Sequence, residues 1–120
     1  MKLLLLLAVT LLPAEIRVID GDTLAIGAER VRVRGLDAPE VGGRAACPLE
    51  AERGAAAAEA AAGLLSRAER VEVESAGRDR YGRLVGEVAL CDAGRCQDFA
   101  AAMIAAGHGA RWRGRKREWC

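Results

Sequence analysis

The sequence predicts an α+β chain, mainly β, and three observations carry that expectation. Strict polar–apolar alternation recurs in short stretches, as in Arg30-Val31-Arg32-Val33-Arg34 and Arg70-Val71-Glu72-Val73-Glu74, the period-2 mark of strands with one buried face. Residues 49–68 are instead dominated by Ala, Glu, Leu and Arg, with Pro48 near the start, and read as a helix. Three strands precede that helix, and two strands and a second helix follow it. Five short strands with a helix after the third describe a small, partly closed five-stranded barrel of OB-fold type with two helices.

In order, residues 16–19 form the first strand and 22–26 the second, with Gly27-Ala28 as the turn. The third, 30–34, points its valines one way and its arginines the other. Gly35 and Pro39 mark its exit, and 41–46, with two glycines, is a loop. After the long helix come strands at 70–74 and 84–90, separated by a loop at 77–82. Residues 97–106 make the second helix, stopped by Gly107.

At 120 residues the chain is one domain. Its 52% hydrophobic and 29% charged content is enough for a core and too apolar for disorder. Two Trp, one Tyr and one Phe leave that core to Ala, Val, Leu and Ile. The start is set apart. Met1-Lys2 precedes ten residues that are apolar except for Thr10, the pattern of a secretory signal. That gives a signal peptide over residues 1–14 and a mature domain over 15–120. The run is short of the ~20 residues that span a bilayer, so no stable membrane association is expected after cleavage. A first core strand, or an uncleaved anchor, is the competing reading.

Cysteine usage agrees with export to the periplasm or beyond. Four cysteines, no Cys-x-x-Cys and a lone histidine, His108, argue against zinc and for bridges. Three pairings are possible. Cys91 and Cys96 flank a turn-like Asp-Ala-Gly, which favours Cys91–Cys96 and leaves Cys47–Cys120.

The chemistry-bearing residues fall in three short motifs: Asp20-Gly21-Asp22-Thr23, Arg32 through Glu40, and Asp79-Arg80-Tyr81-Gly82-Arg83. Carboxylates without a histidine or cysteine cluster suit a hard cation bound through oxygen. Arginines beside them suit phosphate, whose oxygens match a planar fork of donors. Cation, carboxylate base and arginine clamp are the parts needed to hydrolyse a phosphodiester. The run Arg111-Trp112-Arg113-Gly114-Arg115-Lys116-Arg117 puts five cations in seven residues although the net charge is only +1, so it either forms a solvated tail or attracts nucleic acid.

These three motifs, in this order, resemble the staphylococcal nuclease-like (thermonuclease) family over about residues 15–110. The resemblance implies an OB-fold and a secreted, Ca²⁺-dependent nuclease. It implies Asp22 and Asp37 as metal carboxylates, the Ala38 carbonyl as a third ligand, Glu40 as the catalytic base, and Arg32 and Arg83 as phosphate-binding arginines. Tyr81 falls where the family places a tyrosine near the nucleotide. Relative to longer members the loop at 41–46 is compact and a third, C-terminal helix is missing. Trp112 can stack on a base or cover the core. Asp20 and Thr23 read as turn builders, Arg34 as solvent-facing, Asp79 and Arg80 as loop residues, and His108 as structural. The expected partner is DNA or RNA, read with little sequence preference by a monomer. A non-catalytic nucleic-acid-binding OB module, or a disulfide-stabilised periplasmic interaction protein, is the alternative. Neither explains the carboxylates and arginines at these spacings.

Overall fold

Residues 8–120 are described by the structure, a computed structural model; residues 1–7, the first half of the expected leader, lie outside them. The elements run β1 (Ala8–Leu11), β2 (Ile16–Asp20), β3 (Thr23–Ile26), β4 (Glu29–Val33), β5 (Leu36–Asp37), α1 (Pro48–Arg67) and β6 (Arg70–Arg78). They continue with β7 (Leu84–Asp92), β8 (Arg95–Asp98), α2 (Phe99–Ala105) and β9 (Ala110–Arg111). The five expected strands are β2, β3, β4, β6 and β7, and both helices form.

Alternation sets the inward face as expected. Val31 and Val33 of β4, Val71 and Val73 of β6, and Val88 and Leu90 of β7 are buried together. Each such side chain removed from water stabilises the fold by about 1.5–3 kcal/mol. The sheet runs β1-β6-β7-β4-β3-β2. All its neighbours are antiparallel except β4 and β7, which pair in parallel through Val31–Leu84, Arg32–Val85 and Val33–Gly86. The second half of β7 pairs with β8 instead, and the Cys91–Cys96 disulfide joins two residues directly opposite in that register. The curled sheet is the OB-type half-barrel, and the helices close over it.

α1 turns Glu50, Gly54, Ala57, Ala61 and Leu65 inward, one stripe at helical spacing. Small residues on that stripe let the helix approach closely. The limit is Gly54, where a Cβ would lie 2.0 Å from the Glu40 carbonyl oxygen. From α2, Phe99 and Met103 fill the other end of the core.

Four short strands lie outside the five expected, and one of them, β1, falls where the competing reading of the apolar run put a strand. β5 and β9 pair with each other over only two residues each, too few to show any periodicity. β8 is exposed throughout, so it has no apolar alternation, and its pairing with β7 delays the second helix from 97 to Phe99. Asp98 then caps that helix, accepting from Ala101 N at 2.9 Å. β1 lies within the apolar run and pairs with β6 at the sheet edge. Among the described residues no helix is long and apolar enough to cross a membrane.

Candidate active site

Asp22 sits in the turn between β2 and β3 and is 4% exposed. Its Oδ2 accepts from Ala38 N at 2.7 Å and its Oδ1 from the Thr23 hydroxyl at 3.0 Å. One carboxylate thus ties that turn to the chain leaving β5. Arg32 projects from β4 on the face opposite the buried valines. Its Nη1 donates to Leu36 O at 2.7 Å and lies 3.3 Å from Asp22 Oδ2. These charge-assisted contacts hold the guanidinium in one orientation. Arg34, on the same strand face, pairs at the surface with Glu87 and stays outside the site.

Glu40 lies on a loop that α1 organises. Glu50, in the first turn of α1, accepts from Glu40 N at 2.9 Å and from Ala46 N at 2.8 Å. Those two N–H groups hold the Glu50 carboxyl below its ordinary value, although burial opposes them. A carboxyl more acidic folded than unfolded stabilises the fold fully above its unfolded pKa of about 4.3. That contribution fades as pH falls below this toward the lower folded value. Glu50→Gln is therefore expected to be less stable than the parent at pH 7, with the gap narrowing in acid, as circular dichroism melts at both pH values will show. A gap of equal size at pH 7 and pH 3 contradicts this role.

Asp20, expected only to build a turn, is buried and accepts from Val41 N at 3.1 Å and Arg44 Nη2 at 2.6 Å. Arg44 Nε in turn lies 3.4 Å from Glu40 Oε1. Thr23, expected to build the turn, is instead the first residue of β3, buried beside Asp22. In the loop between β6 and β7, Asp79 Oδ1 accepts from Tyr81 N and Arg83 N, and its Oδ2 accepts from Arg83 Nε at 2.7 Å. Burial pushes the Asp79 carboxyl up, but these bonds outweigh it and hold the group below its ordinary value. Asp79 is the loop residue expected, and it also aims Arg83.

Asp22, Arg32, Glu40, Arg83 and Trp112 converge on one cavity of about 210 Å³. Trp112 is 40% exposed, with Arg32 Cζ 5.1 Å from the ring centroid. Tyr81 is set aside from this cavity. It is 74% exposed and lines a neighbouring groove of about 440 Å³ with Arg32, Arg83, Trp112 and Arg115. Asp37 and Ala38 are fully buried and meet the cavity through Lys116, which lines it. Lys116 Nζ lies 3.0 Å from Asp37 Oδ1 and 3.3 Å from Glu40 Oε2, and donates to the Ala38 carbonyl. Burial alone would lower this ammonium's pKa; Asp37 first, then Asp22 and Glu40, outweigh it and raise the value.

A model of the family described as staphylococcal nuclease homologue matches residues 30–118, about three quarters of the chain. The chain belongs to the staphylococcal nuclease family. The match takes in Arg32, Asp37, Ala38, Glu40, Arg83 and Trp112, and it reaches past Lys116. The chain is also 43% identical over 74 residues to the succinoglycan biosynthesis protein ExoI of Rhizobium meliloti (strain 1021). That match covers 58% of this chain and 37% of the relative, so the chain spans little more than a third of the length of that curated protein.

Within this nuclease fold, the residues that sequence reasoning missed are those whose partners are distant in the chain. Lys116 sat unnoticed in the basic run, 79 residues from Asp37. Arg44 was one residue of a glycine-containing loop. Glu50 carried a weak signal, an acidic residue in the first turn of a helix beginning at proline.

Proposed function

We propose that the chain hydrolyses phosphodiester bonds in nucleic acid, as a monomer outside the cytoplasm. The observation that carries this reading is the convergence of the Glu40 carboxylate with the Arg32 and Arg83 guanidinium groups on a single cavity in a member of the staphylococcal nuclease family. Arg32 and Arg83 bind the phosphate and neutralise charge that grows on its equatorial oxygens. Glu40 orients a water and takes its proton. Tyr81 and Trp112 offer ring faces to unpaired bases, a mode of contact indifferent to sequence. The two disulfides support the extracytoplasmic setting, and on this reading residues 1–14 are a leader removed on export.

Ca²⁺, the cofactor implied by the sequence resemblance, agrees with the donor chemistry, since Asp22, Asp37 and the Ala38 carbonyl offer only oxygen. It does not agree with the state of those oxygens. Asp22 Oδ2 accepts from Ala38 N, Asp37 Oδ2 accepts from Arg117 N at 2.7 Å, and Lys116 engages Asp37 Oδ1 and the Ala38 carbonyl.

The test is the oxidised full chain with single-stranded DNA and with RNA, in Ca²⁺ and in chelator, beside Arg32→Lys. Cleavage in at least one condition is expected, with Arg32→Lys slower by ~10²-fold because a compact ammonium cannot reproduce a held planar fork. Binding without cleavage by the folded chain would favour the non-catalytic OB module instead.

A further inference from the structure

We infer that Lys116 is the resident cation of this centre: its ammonium takes the seat where the family resemblance places a metal, excludes divalent ions from it, and supports hydrolysis without them. The catalytic half of this inference rests on the phosphodiesterase reading above; the exclusion half does not.

Three carboxylates, Asp22, Asp37 and Glu40, crowd one small region, and Asp22 and Asp37 are almost wholly buried. Such a group repels itself unless a cation stands within it. Arg32 answers Asp22. The remaining demand falls where Asp37, the Ala38 carbonyl and Glu40 meet, and Lys116 Nζ touches all three. An ammonium donates three hydrogen bonds; here Asp37 Oδ1 and the Ala38 carbonyl receive two, and Glu40 Oε2 stands 3.3 Å away as an ion pair.

Lys116 is not a mobile tail residue that happens to fall there. Just before it, β9 pairs with β5 and Trp112 N donates to Gly35 O at 3.0 Å. Immediately after it, Arg117 N is bound to Asp37 Oδ2. Beyond that, Arg53 Nη1 donates to Trp119 O at 3.2 Å and Cys120 is bridged to Cys47. The segment is anchored on both sides of the lysine. Its side chain remains 37% exposed and lines the cavity shared by Arg32, Glu40 and Arg83, so a phosphate bound there comes within reach of the ammonium.

The step balances without a metal. The water oxygen bonds to phosphorus as the ester P–O bond breaks. Glu40 accepts the water proton, and solvent supplies the proton taken by the leaving oxygen. Lys116 gives up none; its charge acts on a non-bridging oxygen.

Two measurements on the oxidised full chain test this, using the parent, Lys116→Met and Lys116→Ala, with melting curves confirming that the variants fold. Calcium titration by calorimetry, or terbium luminescence with Tb³⁺ as the probe, should show binding to either variant at least ~10-fold tighter than to the parent, since a like charge within hydrogen-bond reach of the same oxygens has gone. Cleavage by the parent should persist in chelator within about twofold. Removing the ammonium should cost ~10²-fold or more in chelator, with recovery on adding Ca²⁺. A parent that loses its activity in chelator overturns the catalytic role. Equal metal affinity in parent and variants overturns the occupancy itself. If no form cleaves any nucleic acid, the phosphodiesterase reading fails, while the metal titration still decides whether Lys116 holds the seat.

Discussion

Glu40→Gln lowers turnover by ~10²–10⁴-fold and leaves substrate binding close to that of the parent. The amide matches the carboxylate in size, so the loop held by Glu50 through Glu40 N and Ala46 N stays where it is. What disappears is the capacity to accept a proton from water. Arg44 Nε and Lys116 Nζ lie 3.4 and 3.3 Å from the two carboxylate oxygens, and the amide oxygen accepts from one of them, which keeps the side chain aimed. Single-turnover kinetics at saturating substrate, with binding measured separately by anisotropy, separates the two effects. If Glu40→Gln cleaves at the parental rate, Glu40 is not the base and the chemistry assigned to this cavity is wrong.

Cys120→Ser lowers the melting temperature by roughly 15 °C. The Cys47–Cys120 bridge joins residues 73 apart in sequence. In the chain-entropy account a loop of that size stabilises by about 4 kcal/mol, and each kcal/mol moves a domain of this size by about 4 °C. Cys96→Ser opens a loop spanning five residues, worth about 2 kcal/mol on the same account, and its strands stay paired through the β7–β8 ladder. The long bridge also fixes the segment that carries Lys116, so Cys120→Ser should weaken cleavage as well as stability. Calorimetric melts of both variants, with mass mapping of the parent's bridges, check the order. A larger loss from Cys96→Ser than from Cys120→Ser contradicts it.

What could be read from the sequence divides along the range of the interactions. The valines of β4 and β6 declared their buried face because a strand's side chains alternate whatever surrounds it. Asp22, Arg32, Asp37, Glu40 and Arg83 could be singled out because each lies in a short motif whose members are near in sequence. Both bridges followed from cysteine count and spacing. Lys116 could not be found that way. Its partners are Asp37, Ala38 and Glu40, and only the β5–β9 pairing and the terminal bridge bring the two segments together. Two residues of β9 carry no pattern that would announce that pairing. Asp20 was underestimated for a related reason. A turn residue and a buried acceptor for Arg44 look alike until the loop at 41–46 is folded back over the turn.

Position 54 sets helix propensity against the loop that carries Glu40. Glycine inside a helix costs roughly 1 kcal/mol relative to alanine, and α1 holds two interior glycines, Gly54 and Gly63. At 63 an added methyl group meets only the movable end of the Arg67 side chain at 3.2 Å. At 54 it meets the backbone of Glu40, which has nowhere to go without carrying that side chain away from the cavity. Helix propensity and packing therefore agree at 63, where alanine fits, and conflict at 54, where the gain in propensity is lost to displacement of the Glu40 backbone. A consensus built from helical preference alone would push the loop carrying Glu40 off this helix at the one interior position where no side chain fits.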